Sequence, residues 1–303
     1  MRSWLVPALL AAVVVGAAAP AHAAAPATDT LVTDINSSDR AAALDYWTPE
    51  RMSRTGADPT ERPERVASPW AGQAPKGVGR LFVTQEPGRQ APTNDSWCTA
   101  TAVRSGNKDV AVTAAHCVWP GQTRAGEQIQ VKNLVFVPGY ANGNRPHGVY
   151  AARAFLLPKS YTEHSSPDVA MVVFDQANGT HLTDAAGSQR ITFDRTAAGR
   201  TAMFGYPGSK LAHGESLLWC DLDATYKPPT EEWTTLCDMA SGASGGPWFA
   251  DFDARTGTGT IFSVTSRGTV RVDEETGDLM TADLSGPKLD AVARSLHEQA
   301  QER

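Results

Sequence analysis

No run of basic residues and no interleaving of aromatic with basic side chains occurs in this chain, whose formal charge is −6. The usual electrostatic footprint for nucleic acid is therefore missing, and nucleic acid is excluded as a partner class. None of the four cysteines forms a Cys-x-x-Cys pair, and His147, His164, His181 and His213 show no ligand-like spacing, so no metal or other cofactor is implied. The acidic clusters at 251–253 and 273–278 lack the spacing of a calcium loop and read as solvated hairpin turns. Beyond residue 19 no stretch approaches the ~20 apolar residues that span a bilayer. Internal repeats, heptads and strand-helix alternation are also absent, which argues against solenoids, coiled coils and doubly wound α/β folds.

What is present begins with an export signal. Met1-Arg2-Ser3-Trp4 precedes an apolar run over 5–19, and Ala21-His22-Ala23 supplies the small-x-small cleavage site, so residues 1–23 read as a signal peptide and the product as secreted, with no membrane contact after its removal. An even number of cysteines in an exported chain points to two disulfides. Of the three possible pairings, the local one joins Cys98 to Cys117 and Cys220 to Cys237, each pair bracketing neighbouring predicted strands. At 303 residues and 41% hydrophobic content the chain can fill two cores.

Residues 24–76 are rich in Ala, Pro, Arg, Asp and Glu and read as a pro-segment or linker. One short helix is expected from Asp39 to Met52, capped by Ser38, followed by a solvated, proline-broken stretch over 58–65. After Gly77 short apolar runs alternate with Gly, Pro, Asn and Asp, the texture of an all-β protein. Strands are expected at 78–84, 98–103, 109–113, 128–137, 148–156 and 169–174, then at 189–193, 200–204, 216–222, 234–239, 247–250, 258–265 and 279–282. The set divides near Asn178-Gly179 into units of about 77–178 and 179–286. A last helix over 287–301, with Leu289, Val292 and Leu296 at helical spacing, is expected to pack on the second unit.

Chemistry concentrates at three places. Ser241-Gly242-Ala243-Ser244-Gly245-Gly246-Pro247-Trp248 is a glycine-rich turn around a serine, suited to a loop whose amides face a ligand. His116 lies in Thr113-Ala114-Ala115-His116-Cys117, after a predicted strand and beside a cysteine that would fix its backbone. Asp168 precedes the apolar run Val169-Ala170-Met171-Val172-Val173-Phe174; at the mouth of a buried strand it needs a donor such as a histidine N–H, with Asp175 at the other end as the fallback. The order His, Asp, Ser excludes an α/β-hydrolase, which runs Ser, Asp, His, and whose histidine here would have to be His297 in the tail helix.

Blocks 113–117, 168–173 and 242–247 together resemble the signature blocks of chymotrypsin-like (trypsin-fold) serine peptidases, over roughly Gly77 to the end. Val78-Gly79-Arg80-Leu81-Phe82, Phe204-Gly205-Tyr206-Pro207-Gly208 and Cys237-Asp238-Met239 are similar to the bacterial secreted branch that includes glutamyl endopeptidases. The resemblance implies two six-stranded antiparallel Greek-key β-barrels with a C-terminal α-helix and a cleft holding His116, Asp168 and Ser244. It further implies an oxyanion hole from the Gly242 and Ser244 amides and a monomer acting on protein or peptide substrates. Where zymogen-type members carry an aspartate before the nucleophile this chain has Ala243, so activity is expected not to depend on an exact mature N-terminus. Asp238, six residues before Ser244, stands where a basic-selective pocket would have its aspartate or where the branch has a structural motif; both readings are open, and Ser263 and Thr265 are further pocket candidates. Glutamate preference ranks lower because 258–268 contains no histidine. Two competing classes are a binding protein that has lost turnover and an esterase using the same triad.

Overall fold

The computed structural model describes Met1 and residues 29–56, 64–88 and 92–303. Residues 2–23 of the expected signal and 58–63 of the expected solvated stretch lie outside them.

The first barrel is built from strands Val78–Glu86, Asn94–Ala102, Val110–Thr113, Gln130–Pro138, Tyr150–Pro158 and Ala170–Phe174. Ala170–Phe174 pairs antiparallel with both Val110–Thr113 and Tyr150–Pro158, which closes the sheet. Side chains alternate between the faces of a strand, and here both faces are buried. Leu81 and Val83 join one apolar cluster and Phe82 the other. That double burial is why Val169–Phe174 reads as an unbroken apolar run rather than an alternating one.

The covering layer comes from both chain ends. Thr30–Asp34 adds a strand to Tyr150–Pro158. The single helix expected from 39 to 52 is two helices, Ser37–Tyr46 capped by Asn36 and Pro49–Arg54 capped by Thr48. Pro49 disfavours helical geometry in the residue before it, so the chain turns at Trp47-Thr48 and restarts. Trp47 is buried with its indole N–H on the Asn133 carbonyl at 2.6 Å. The C-terminal helix, Ala291–Gln301 with Asp290 as its cap, packs on the first barrel and not on the second as expected. Leu289, Ala293, Leu296 and Ala300 join the cluster of Val110, Val112 and Met171, while Asn107 Nδ2 donates to the Ala300 carbonyl at 2.8 Å. His297 is buried too, at hydrogen-bond distance from the Arg104 carbonyl (2.9 Å), and burial holds its pKa below the ordinary value. The helix periodicity identifies the apolar stripe but not which barrel receives it.

The second sheet runs Leu279–Pro287, Glu232–Thr235, Leu218–Lys227, Gly199–Gly205, Pro247–Asp253, Thr258–Val264 in spatial order, all antiparallel. Its ends meet where Gly286 abuts Val264: a Cβ on Gly286 would lie 2.2 Å from the Val264 carbonyl oxygen, so glycine is required. Of the expected strand 189–193 only Arg190–Ile191 forms, parallel to Thr258–Val264. Together the two units make the all-β, two-barrel trypsin fold with a C-terminal helix.

Arg80, fully buried, joins the halves. Its guanidinium donates to Glu215 at 2.6 Å and to the Thr55 carbonyl at 2.5 Å, and lies over the Phe82, Trp97 and Tyr140 rings. Among the described residues no helix is long and apolar enough to cross a membrane.

Candidate active site

Val110–Thr113 leads into the 3-10 turn Ala115–Cys117, and the Cys98–Cys117 disulfide ties that turn to the neighbouring strand. The second disulfide joins Cys220 to Cys237. Because Thr113 is in register with Ala170, the residues just outside that pairing, His116 and Asp168, meet. His116 Nδ1 lies 2.8 Å from Asp168 Oδ2, and the His116 amide donates to Oδ1 at 3.0 Å. Ser266 Oγ, from the second barrel, donates to Oδ2 at 2.6 Å. Burial pulls the Asp168 pKa upward, but the hydrogen bond and charge of His116, with the Ser266 hydroxyl and the His116 amide, outweigh it and hold the carboxyl below its ordinary value. An ionised carboxylate is an acceptor only, so Nδ1 carries a proton toward Asp168, and in the neutral ring it is Nε2 that holds the lone pair.

Ser244 sits in a loop that needs glycine on both sides. Gly242 has φ +96° and Gly245 +77°. A Cβ on Gly245 would fall 2.1 Å from Thr113 Oγ1 and 2.9 Å from the Ala114 nitrogen, so the serine loop lies directly against the segment that carries His116. The Thr99 amide donates to the Ser244 carbonyl at 2.8 Å and the Thr99 hydroxyl to the Gly242 carbonyl at 3.0 Å. The amides of Ala243, Gly245 and Gly246 are committed to the carbonyls of Ala240, Thr265 and Ala243, whereas those of Gly242 and Ser244 have no acceptor among the described residues. Two neighbouring unpaired N–H groups beside a serine are what an oxyanion site requires. Among the described residues Ser244 Oγ makes no hydrogen bond to His116; such bonds are commonly long before substrate is bound.

A cavity of about 180 Å³ opens beside Ser244, with Met239, Thr265, Thr281 and Leu284 in its wall. Thr265 is thus at the cavity, its hydroxyl oxygen accepting from the Trp248 indole at 2.9 Å. Ser263 is not: fully buried, it donates to the Pro287 carbonyl at 2.8 Å on the seam where the second sheet closes. Asp238 does not line the cavity either; it is buried and accepts the amides of Arg65, Val66 and Ala67 at 2.7, 3.0 and 2.8 Å. The fallback Asp175 is committed to Arg40 at 2.6 Å. Ser266 went unnoticed in the sequence, where one more hydroxyl after a strand carries no signal.

No family model matches the chain, and no curated protein does. Solved structures do. The protease Anisep from Arthrobacter nicotinovorans is 28% identical, with TM-score 0.65 over 78% of this chain and 100% of that one. A thermostable serine protease, AL20, from an extremophilic microorganism is 26% identical, with TM-score 0.63 over 75% of this chain and 98% of that one. A Glu endopeptidase, 18% identical with TM-score 0.59 over 80% and 99% of the two chains, shares the fold.

Proposed function

We propose that this chain, whose structural neighbours are chymotrypsin-like serine proteases, is a secreted serine endopeptidase that cuts peptide bonds through His116, Asp168 and Ser244. The observation that carries the proposal is the 2.8 Å contact of His116 Nδ1 with Asp168 Oδ2, next to a serine loop whose Gly242 and Ser244 amides have no acceptor among the described residues. A serine hydroxyl is a weak nucleophile, so His116 Nε2 takes its proton as Oγ attacks the substrate carbonyl. The negative oxygen of the tetrahedral intermediate is held by the Gly242 and Ser244 N–H groups. His116 then gives the proton to the leaving amine, and an ester between Ser244 and the acyl half remains. Water, deprotonated by the same nitrogen, hydrolyses that ester and returns the serine. Asp168 supports the imidazolium formed on the way.

An organophosphonate probe applied to the mature protein and to Ser244→Ala tests this. Labelling of the wild type only, with casein digestion, is the expected result. An unlabelled wild type would end the enzyme proposal, and labelling without proteolysis would point to an esterase. Ser244→Ala or His116→Ala should lose on the order of 10⁶ in kcat, as in another serine protease.

A further inference from the structure

Asp238 is bound by backbone on its buried side. A carboxylate has about four acceptor sites, and both Asp238 oxygens are engaged by three consecutive amides, of Arg65, Val66 and Ala67. The donating segment is itself fastened to the second barrel. Ser68 and Pro69 pair with Trp219 and Leu218, the Trp70 amide donates to the Leu217 carbonyl at 3.0 Å, and the Trp70 ring packs on Phe204 and Trp219. Just upstream, the Glu64 carboxylate accepts the Ser209 hydroxyl at 2.6 Å and approaches the Ala240 amide at 3.5 Å. Residues 64–67 therefore form a bracket on the segment 238–240 that leads into the Ser244 loop.

A residue that selects a basic substrate side chain must turn acceptor lone pairs into the cavity. Asp238 turns them toward 65–67 and does not line the cavity. The wall instead offers Met239, Leu284 and the threonines 265 and 281. Its one charged member among the described residues, Arg267, is held by Glu232 at 2.6 Å. A guanidinium entering this cavity would lose water without meeting a carboxylate in its described lining, and a carboxylate would have to share Arg267 with Glu232, whereas an uncharged side chain would bury apolar surface at no such cost.

We propose that Asp238 is a positioning residue, the anchor of the 64–67 bracket, and that the cavity beside Ser244 takes an uncharged side chain of leucine or methionine size. The assignment rests on the endopeptidase function above. It places the specificity of the enzyme in the shape of the cavity and the integrity of the bracket that holds residues 238–240.

Two measurements test the proposal separately. In the first, the wild-type chain from residue 24 onward, which keeps the 64–67 bracket, and its Asp238→Asn variant are assayed on peptides that differ only in the residue before the cut bond: Arg, Lys, Glu, Leu or Met. Leu and Met peptides should have kcat/KM more than about tenfold above the charged ones, and Asp238→Asn should lower kcat/KM by a similar factor for every uncharged peptide. Preferred cleavage after Arg or Lys that Asp238→Asn removes selectively overturns the proposal. The second measurement is hydrogen exchange on the full Ser244→Ala chain, which cannot cut itself. The amides of 65–67 should be protected, and in Ser244→Ala/Asp238→Asn they should exchange at least about tenfold faster, the factor expected for one lost charge-assisted bond. Unprotected amides in the Ser244→Ala chain itself overturn the anchor even where the double variant does not fold. If no peptide is cut, the endopeptidase function fails and the pocket assignment with it, while exchange still decides the anchor.

Discussion

The Ser266 hydroxyl of the second barrel donates to Asp168 Oδ2 of the first at 2.6 Å, ending on the oxygen that faces the His116 ring. This bond ties the geometry of the dyad to the way the two barrels dock. Ser266→Ala should lower kcat about tenfold with little change in KM, since a hydrogen bond to a charged group is worth roughly 1.5–3 kcal/mol and part of it is replaced by water. The same change raises the Asp168 pKa. A carboxyl held below its ordinary value contributes stability above that ordinary value and loses it as pH falls through the folded-state value. The acid unfolding midpoint of Ser266→Ala, followed by circular dichroism, should therefore lie at higher pH than that of the wild type.

Ala243 is fully buried, and a Cβ on Gly205 would lie only 2.7 Å from its own. Among the described residues there is neither space nor a partner for a carboxylate at this position. Ala243→Asp should destabilise the protein by about 3–5 kcal/mol, the range for an uncompensated buried charge, as read from urea unfolding. By the same argument, chains beginning at successive positions between residues 24 and 28, which keep every described element, should agree in kcat/KM within about threefold. An enzyme inactivated by one extra N-terminal residue would contradict this.

Burial pushes the Glu64 carboxyl above the ordinary glutamate range, against the Ser209 hydrogen bond that pulls it down. A raised folded-state pKa means a contribution that is complete below the unfolded value and lost as pH rises through the folded one. Glu64→Gln should therefore raise Tm relative to the wild type at pH 7–8, by about 2 °C, and the difference should vanish toward pH 4. A Tm difference independent of pH would show that Glu64 is not the titrating group.

Fully buried Arg80 pairs with the partly buried Glu215 at 2.6 Å, with the Tyr140 hydroxyl on the same carboxylate at 2.8 Å. Glu215→Gln leaves the guanidinium uncompensated and should cost about 3 kcal/mol. Replacing both, Arg80→Met with Glu215→Leu, should cost less than the sum of the single changes, and a double-mutant cycle would measure the coupling.

Most first-barrel strands were legible within a few residues because their apolar runs are bounded by turn formers. Arg267–Val272 was missed: it is an exposed ribbon on Leu279–Pro287 with no buried face, so it carries no hydrophobic signal. Thr30–Asp34 was missed for a related reason, lying in a segment whose composition suggested a solvated arm. Of the proposed site, the sequence marked His116, Asp168 and Ser244 by local context: a cysteine neighbour, an apolar run and flanking glycines.

The sequence by itself determined the all-β class, the order His, Asp, Ser that excluded an α/β-hydrolase, and the glycines without which the serine loop could not approach Thr113. These are properties of short segments, set by backbone sterics and by the period of the apolar pattern. Only the tertiary structure decided what Asp238 faces, which barrel the last helix covers, and that Ser266 meets Asp168. The partners of Asp238 lie 171 to 173 positions away and Ser266 lies 98 from Asp168. A carboxylate takes whichever donors the fold brings to it, and over such separations no local pattern records the choice.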